Sequence, residues 1–126
     1  MDRVVLDAVH LDLIQTHGGL PGIRDENVLE SALARPRHRW AYRRNADLAG
    51  LAATYGFGLA RNHPYRDGNK RTAFLTMVVF LGLNGHDLET SEADVVTLML
   101  KLAAGELSEA ALARWLRVHL SPYREV

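Results

Sequence analysis

The stretch HPYRDGNKRTAFLTMVVFLGL, residues 63–83, decides the fold. Its second half, Thr72 to Leu83, is apolar on nearly every face, as a helix surrounded by other helices is. That run is well short of the roughly 18 residues a membrane span needs, so it belongs in a protein core. Its first half, His63 to Arg71, places a histidine, a carboxylate, a glycine, an amide and two adjacent cations within nine positions. The pattern predicts a central helix from about Asn69 to Leu83, entered through a polar turn and closed by Asn84-Gly85.

Outward from this helix, periodicity stays helical, and alternating β-branched runs bounded by hairpin turns are absent. A first helix is expected from about Arg3 to Thr16, stopped by Gly18-Gly19 and followed by the loop GGLPGI. Asp25 is the expected N-cap of a second, running to about Ala34, where Pro36 disfavours helical geometry at the residue before it. A third, rich in alanine and glycine, spans about Ala46 to Arg61. Ser91, with Asp94 three residues on, starts a fifth to about Ala104, and Ser108 starts a sixth to about His119. The expectation is an all-α, compact, single-domain bundle of about six helices over residues 1–126.

Composition narrows the function classes. The 126 residues are 48% apolar and 24% charged, as in ordinary soluble domains, which takes most of the weight from disordered and membrane classes. Fifteen acidic residues balance fifteen basic ones, so no global field draws the chain to nucleic acid or an anionic membrane, and any anion site must be local. The absence of cysteine excludes disulfides, thiolate metal sites and a cysteine nucleophile, and fits a reducing compartment. The N-terminus, MDRVVLDAVHLDLI, carries acids inside its apolar run and does not read as a signal peptide. The cytoplasm is the expected location.

The polar turn carries the chemistry. N–H groups in the first turn of a helix lack internal partners, and the helix dipole adds about half a positive charge there. Gly68 lets the backbone approach a ligand closely. Lys70 and Arg71 oppose the dipole, a placement that makes sense with an anion between them. Arg71 can fork two hydrogen bonds onto phosphate oxygens, while Lys70 is a compact point charge. Asp67 would repel phosphates unless it holds a divalent metal bridging to them, which suits magnesium. Asn69 is placed to orient a phosphate oxygen or a metal-bound water. His63 brings an imidazole to the segment, the side-chain type most used as a general base, and can take a proton from an attacking hydroxyl. Taken singly, Asp67, Gly68 and Asn69 are ordinary turn and cap residues, and Tyr65 reads as a packing anchor. Together they favour an anion site without selecting a reaction.

HPYRDGNKRTA resembles the active-site motif of the Fic/Doc superfamily, H-x-F-x-D/N-G-N-G/K-R, and most closely its death-on-curing (Doc) branch, which has lysine at the position of Lys70. HGGLPGIRDENVLESAL and LAAGELSEAALARWL extend the resemblance over nearly the whole chain. It implies an all-α fold, with His63 as general base, Asp67 binding Mg2+, and Gly68, Asn69, Lys70 and Arg71 forming a nest for the phosphates of ATP. AMP-transferring Fic enzymes usually have glycine at the position of Lys70 and a further arginine at that of Phe74. The Doc pattern implies instead a kinase-type toxin that phosphorylates a translation factor, elongation factor Tu. AMP transfer to a protein hydroxyl is the rival reading, and a catalytically idle nucleotide- or partner-binding module the other. Self-inhibited Fic enzymes carry a helix motif that Ser121 to Glu125 matches only in part. The resemblance therefore implies a separate antitoxin whose disordered segment folds on binding.

Outside the motif, RPRHRWAYRR (residues 35–44) holds five arginines. It reads as an RNA-contacting patch, a solvated loop or, preferred here, a flap that docks the target polypeptide. His10, His17, His38, His86 and His119 lack metal-ligand spacing and read as surface or partly buried residues. Trp115 reads as core. Gly18, Gly19 and Gly22 read as turn residues whose loop can border the site.

Overall fold

The structure, a computed structural model, describes residues 1–42 and 46–122. Six helices succeed one another: α1 (Arg3–His17), α2 (Glu26–Tyr42), α3 (Leu48–Asn62), α4 (Asn69–Leu83), α5 (Glu92–Ala103) and α6 (Glu109–His119). Three starts follow from local capping. Asp25 Oδ1 accepts from the Val28 N–H at 3.1 Å, Ser91 Oγ from the Asp94 N–H at 3.1 Å, and Ser108 Oγ from the Ala111 N–H at 3.0 Å. The class is all-α, as expected. Among the described residues no helix is long and apolar enough to cross a membrane.

α3 and α4 pack against each other along their length and organise one hydrophobic core. The centre is shared. Every residue of α3 from Ala49 to Ala60 is buried except Phe57, which is half-buried, while on α4 the buried set is Asn69, Thr72, Ala73, Thr76, Met77 and Leu81. The small residues of α3 help make this possible: a Cβ on Gly56 would collide with the Met77 side chain, so any larger residue there would require Met77 to move. α1 flanks α4, α2 and α6 cover α3, and α5 touches both α3 and α4.

Two expectations need correction. α2 does not stop before Pro36 but runs through it to Tyr42. Proline forfeits one intrahelical hydrogen bond, yet the segment beyond it is anchored by tertiary contacts. Pro36 is buried against a cavity of about 250 Å³ shared with Leu51, Tyr55 and Phe80. Arg35 and Arg39 both pair with Glu109 at the start of α6, at 2.9 and 3.1 Å, and Arg37 donates to the Met1 carbonyl. The basic segment is thus helix tied into the bundle over residues 35–42 rather than a solvated loop; Arg43 and Arg44 lie outside the described residues. The second correction is a small antiparallel ribbon of β1 (His86–Leu88) and β2 (Leu120–Pro122), in the register His86 to Pro122 and Leu88 to Leu120. Strands of three residues carry no readable alternation. Of the partial inhibitory motif, Ser121 and Pro122 lie in β2, and residues 123–126 fall outside the described residues.

α3 is capped by Asp47, which accepts from the Gly50 N–H at 2.8 Å and receives the Arg117 guanidinium of α6 on both oxygens, at 2.8 and 3.1 Å. Arg117 holds the Asp47 carboxyl below its ordinary value. The folded-state value is the depressed one, so this stabilisation is complete above the unfolded-state value and is lost as pH falls through the folded-state value. The Arg117 pair is exposed on both sides and adds little, so the cap dominates. Replacing Asp47 by alanine is expected to cost about 1 kcal/mol at neutral pH. That difference should shrink in acid, as urea unfolding of both proteins at several pH values will show.

Candidate active site

The site forms where α3 ends and α4 begins. His63 is the C-cap of α3, in the left-handed region at φ 49° and ψ 60°. Arg24 grips the chain there: its Nε donates to the His63 carbonyl at 2.6 Å and a terminal nitrogen to the Asn62 carbonyl at 2.7 Å. The guanidinium thereby satisfies carbonyls that the helix end leaves without partners. The loop after α1 lies alongside. Ile23 forms a β-bridge with Tyr65, the Arg66 N–H donates to the Gly22 carbonyl, and the Arg24 and Asp25 N–H groups both reach the Pro64 carbonyl.

Tyr65 is the anchor of the turn, 2% exposed, with its hydroxyl donating to Asp7 at 3.0 Å. Burial, and then the Asp7 carboxylate, push its phenol well above the ordinary value, so it remains a neutral donor. Asn69, also buried, clamps the Tyr65 backbone: its Oδ1 accepts the Tyr65 N–H at 3.0 Å and its Nδ2 donates to the Tyr65 carbonyl at 2.9 Å. The amide expected to reach a phosphate or a metal-bound water is therefore committed to the fold.

Gly68 is the N-cap of α4 and adopts a left-handed conformation, φ 74°. A Cβ there would be strained and would also lie 3.3 Å from the Ile14 side chain. The first bond of the helix runs from the Thr72 N–H to the Gly68 carbonyl, so the N–H groups of Asn69, Lys70 and Arg71 precede it. α2, α5 and α6 carry acids in their first turn; α4 carries Lys70 and Arg71, both exposed. The exposed Asp67 carboxylate accepts from the Gly68 N–H at 2.9 Å and the Leu20 N–H at 3.3 Å.

His63, Asp67, Gly68, Asn69, Lys70 and Arg71 all line one cavity of about 880 Å³, within the range of small-molecule and cofactor sites. The opposite wall had no motif to announce it: Val95, Val96, Met99 and Leu100 of α5 line the cavity, with Val96 and Leu100 more than half exposed. Arg66, His17 and Glu92 complete its polar lining. His10, expected at the surface or partly buried, is instead buried, 5% exposed, beneath Asp67. Trp115 packs against the core and stacks on His119.

A family model described as the Fic/DOC family matches residues 1–81, the part of the chain that supplies every residue of the polar turn. The chain is similar to the protein kinase doc of Escherichia phage P1, with 38% identity over 112 residues, 89% of this chain and 88% of that protein. It is also similar to the toxin Doc of Mycolicibacterium smegmatis, with 41% identity over 75 residues, 56% of this chain and 55% of that protein. The matched span is well over half of the chain, and both relatives are Doc proteins; the chain accordingly belongs to the Fic/DOC family, on its Doc branch.

Proposed function

We propose that the chain is a Doc-type toxin that transfers the γ-phosphate of ATP to a hydroxyl of a translation factor, elongation factor Tu, and so arrests translation. The observation that carries this reading is the shared cavity, in which a histidine, an exposed carboxylate and the open start of a helix flanked by Lys70 and Arg71 face one space. The phage P1 relative, similar over most of both chains, bears the name protein kinase. Lys70 and Phe74, in place of the glycine and second arginine of AMP-transferring relatives, favour γ- over α-phosphate transfer.

In this reading the N–H groups at the start of α4, with Lys70 and Arg71, bind and orient the phosphate chain. His63 removes the proton from the incoming hydroxyl as its oxygen bonds to the γ-phosphorus and the bond to the β–γ bridging oxygen breaks, releasing ADP. Asp67 fits magnesium in a limited way. Among the described residues no three His, Asp or Glu side chains cluster to hold a metal alone, so the ion would be shared between Asp67, phosphate oxygens and water. Bound there, Mg2+ would neutralise phosphate charge. An antitoxin with a segment that folds on binding is the partner this reading carries with it.

ATP labelled separately at the α- and γ-phosphate, incubated with cell extract and this protein, tests the proposal. Protein label from the γ position alone is the expected result. Label from the α position alone means AMP transfer, and neither, with nucleotide still bound, means a binding module.

A further inference from the structure

Asp67 is gripped from behind by the first twenty residues. His10 of α1 lies flat on the Tyr65 ring, with centroids 3.7 Å apart and planes at 8°, and its Nε2 is 2.9 Å from the Asp67 carbonyl oxygen. A carbonyl can only accept, so Nε2 carries the proton in this contact. The Leu20 N–H reaches the carboxylate itself, at Oδ2. Gly19 stands closer still: a Cβ there would lie 2.8 Å from the same oxygen and 3.1 Å from Ile14, on a backbone at φ 119° that L side chains rarely adopt. Backbone and carboxylate of one exposed residue are thus fixed by separate contacts that cross from 47 to 57 positions away in sequence.

We infer that His10 and Gly19 are positioning residues for Asp67, His10 setting its backbone and Gly19 leaving room for its carboxylate, so that the carboxylate meets a divalent cation in a single orientation. The inference rests on the proposed nucleotide site. An exposed carboxylate free to rotate would lose orientational entropy on binding the ion; one held by two N–H groups and a backbone anchor has already lost it. Neither His10 nor Gly19 needs to touch the ligand, which separates their effect from that of Lys70 or Arg71.

The test titrates Mg2+ by calorimetry into the full chain with a non-hydrolysable ATP analogue, and titrates the analogue alone in EDTA. His10→Phe keeps a flat ring against Tyr65 but has no donor; His10→Gln keeps a donor at similar reach without the ring. His10→Phe and Gly19→Ala are expected to weaken Mg2+ binding about tenfold or more, with analogue affinity in EDTA unchanged and His10→Gln close to the parent. The inference is overturned if His10→Phe or Gly19→Ala binds Mg2+ as tightly as the parent. Loss in His10→Gln equal to that in His10→Phe, or an equal loss of metal-free affinity, overturns it too. Should His10→Phe fail to fold by its melting curve, Gly19→Ala on the exposed loop and His10→Gln still decide. A parent that binds the analogue without Mg2+ dependence defeats this inference alone; a parent that binds no analogue defeats the nucleotide site as well.

Discussion

Exchange of His63 for asparagine is expected to lower phosphate transfer roughly 10²- to 10⁴-fold, the range that general-base assistance supplies, while leaving stability and nucleotide affinity near those of the parent. Asparagine is chosen for a backbone reason. His63 occupies the left-handed region at the end of α3, where histidine and asparagine occur far more readily than alanine, so alanine would mix a backbone effect with the chemical one. Asparagine visits that region readily and has no basic nitrogen. The Arg24 contacts go to the carbonyls of Asn62 and His63, which the substitution leaves in place. Single-turnover transfer from γ-labelled ATP, beside urea unfolding, separates the two effects. A transfer rate within about threefold of the parent would remove His63 from the role of base.

The sequence was most legible where structure is decided locally. α4 has the bounds expected for it, Asn69 to Leu83, because a turn glycine precedes its apolar run and Asn84-Gly85 follows. The caps at Asp25, Ser91 and Ser108 are contacts over three residues, within the reach of pattern reading. Pro36 shows the opposite case. Its local cost is real, but Arg35 and Arg39 meet Glu109 some 70 positions later, and no spacing announces that anchor. β1 and β2 were hidden for a related reason, since three residues are too few to show a period. Within the site, the motif supplied residue types and their order, and the structure brings all six into one cavity. It did not supply the division of labour: Asn69 reads as a ligand-facing amide until the Tyr65 backbone is seen between its two polar atoms. His10 and the α5 wall carry no mark at all, because their relation to the motif exists only after folding.

That division of labour gives the second large effect. Asn69→Ala is expected to destabilise the fold by about 2–4 kcal/mol, since it strands the N–H and the carbonyl of Tyr65, each costing about 1–3 kcal/mol when buried without a partner. In a domain of this size the loss corresponds to roughly 8–16 °C in Tm. Tyr65 itself is 2% exposed, so water has little access to replace the amide. Asn69→Asp discriminates further. Its carboxylate can still accept the Tyr65 N–H but presents a second oxygen to the Tyr65 carbonyl, where the native amide donates. It should lose much of the same stability despite its near-identical shape. Because Tyr65 lies between His63 and Asp67, transfer by Asn69→Ala should fall further than its unfolded fraction explains when assayed at a temperature where it is folded. Stability within about 0.5 kcal/mol of the parent, the range of an ordinary surface substitution, would show that the clamp is dispensable. The Asn69 amide would then be available for the phosphate contact that the motif alone suggests.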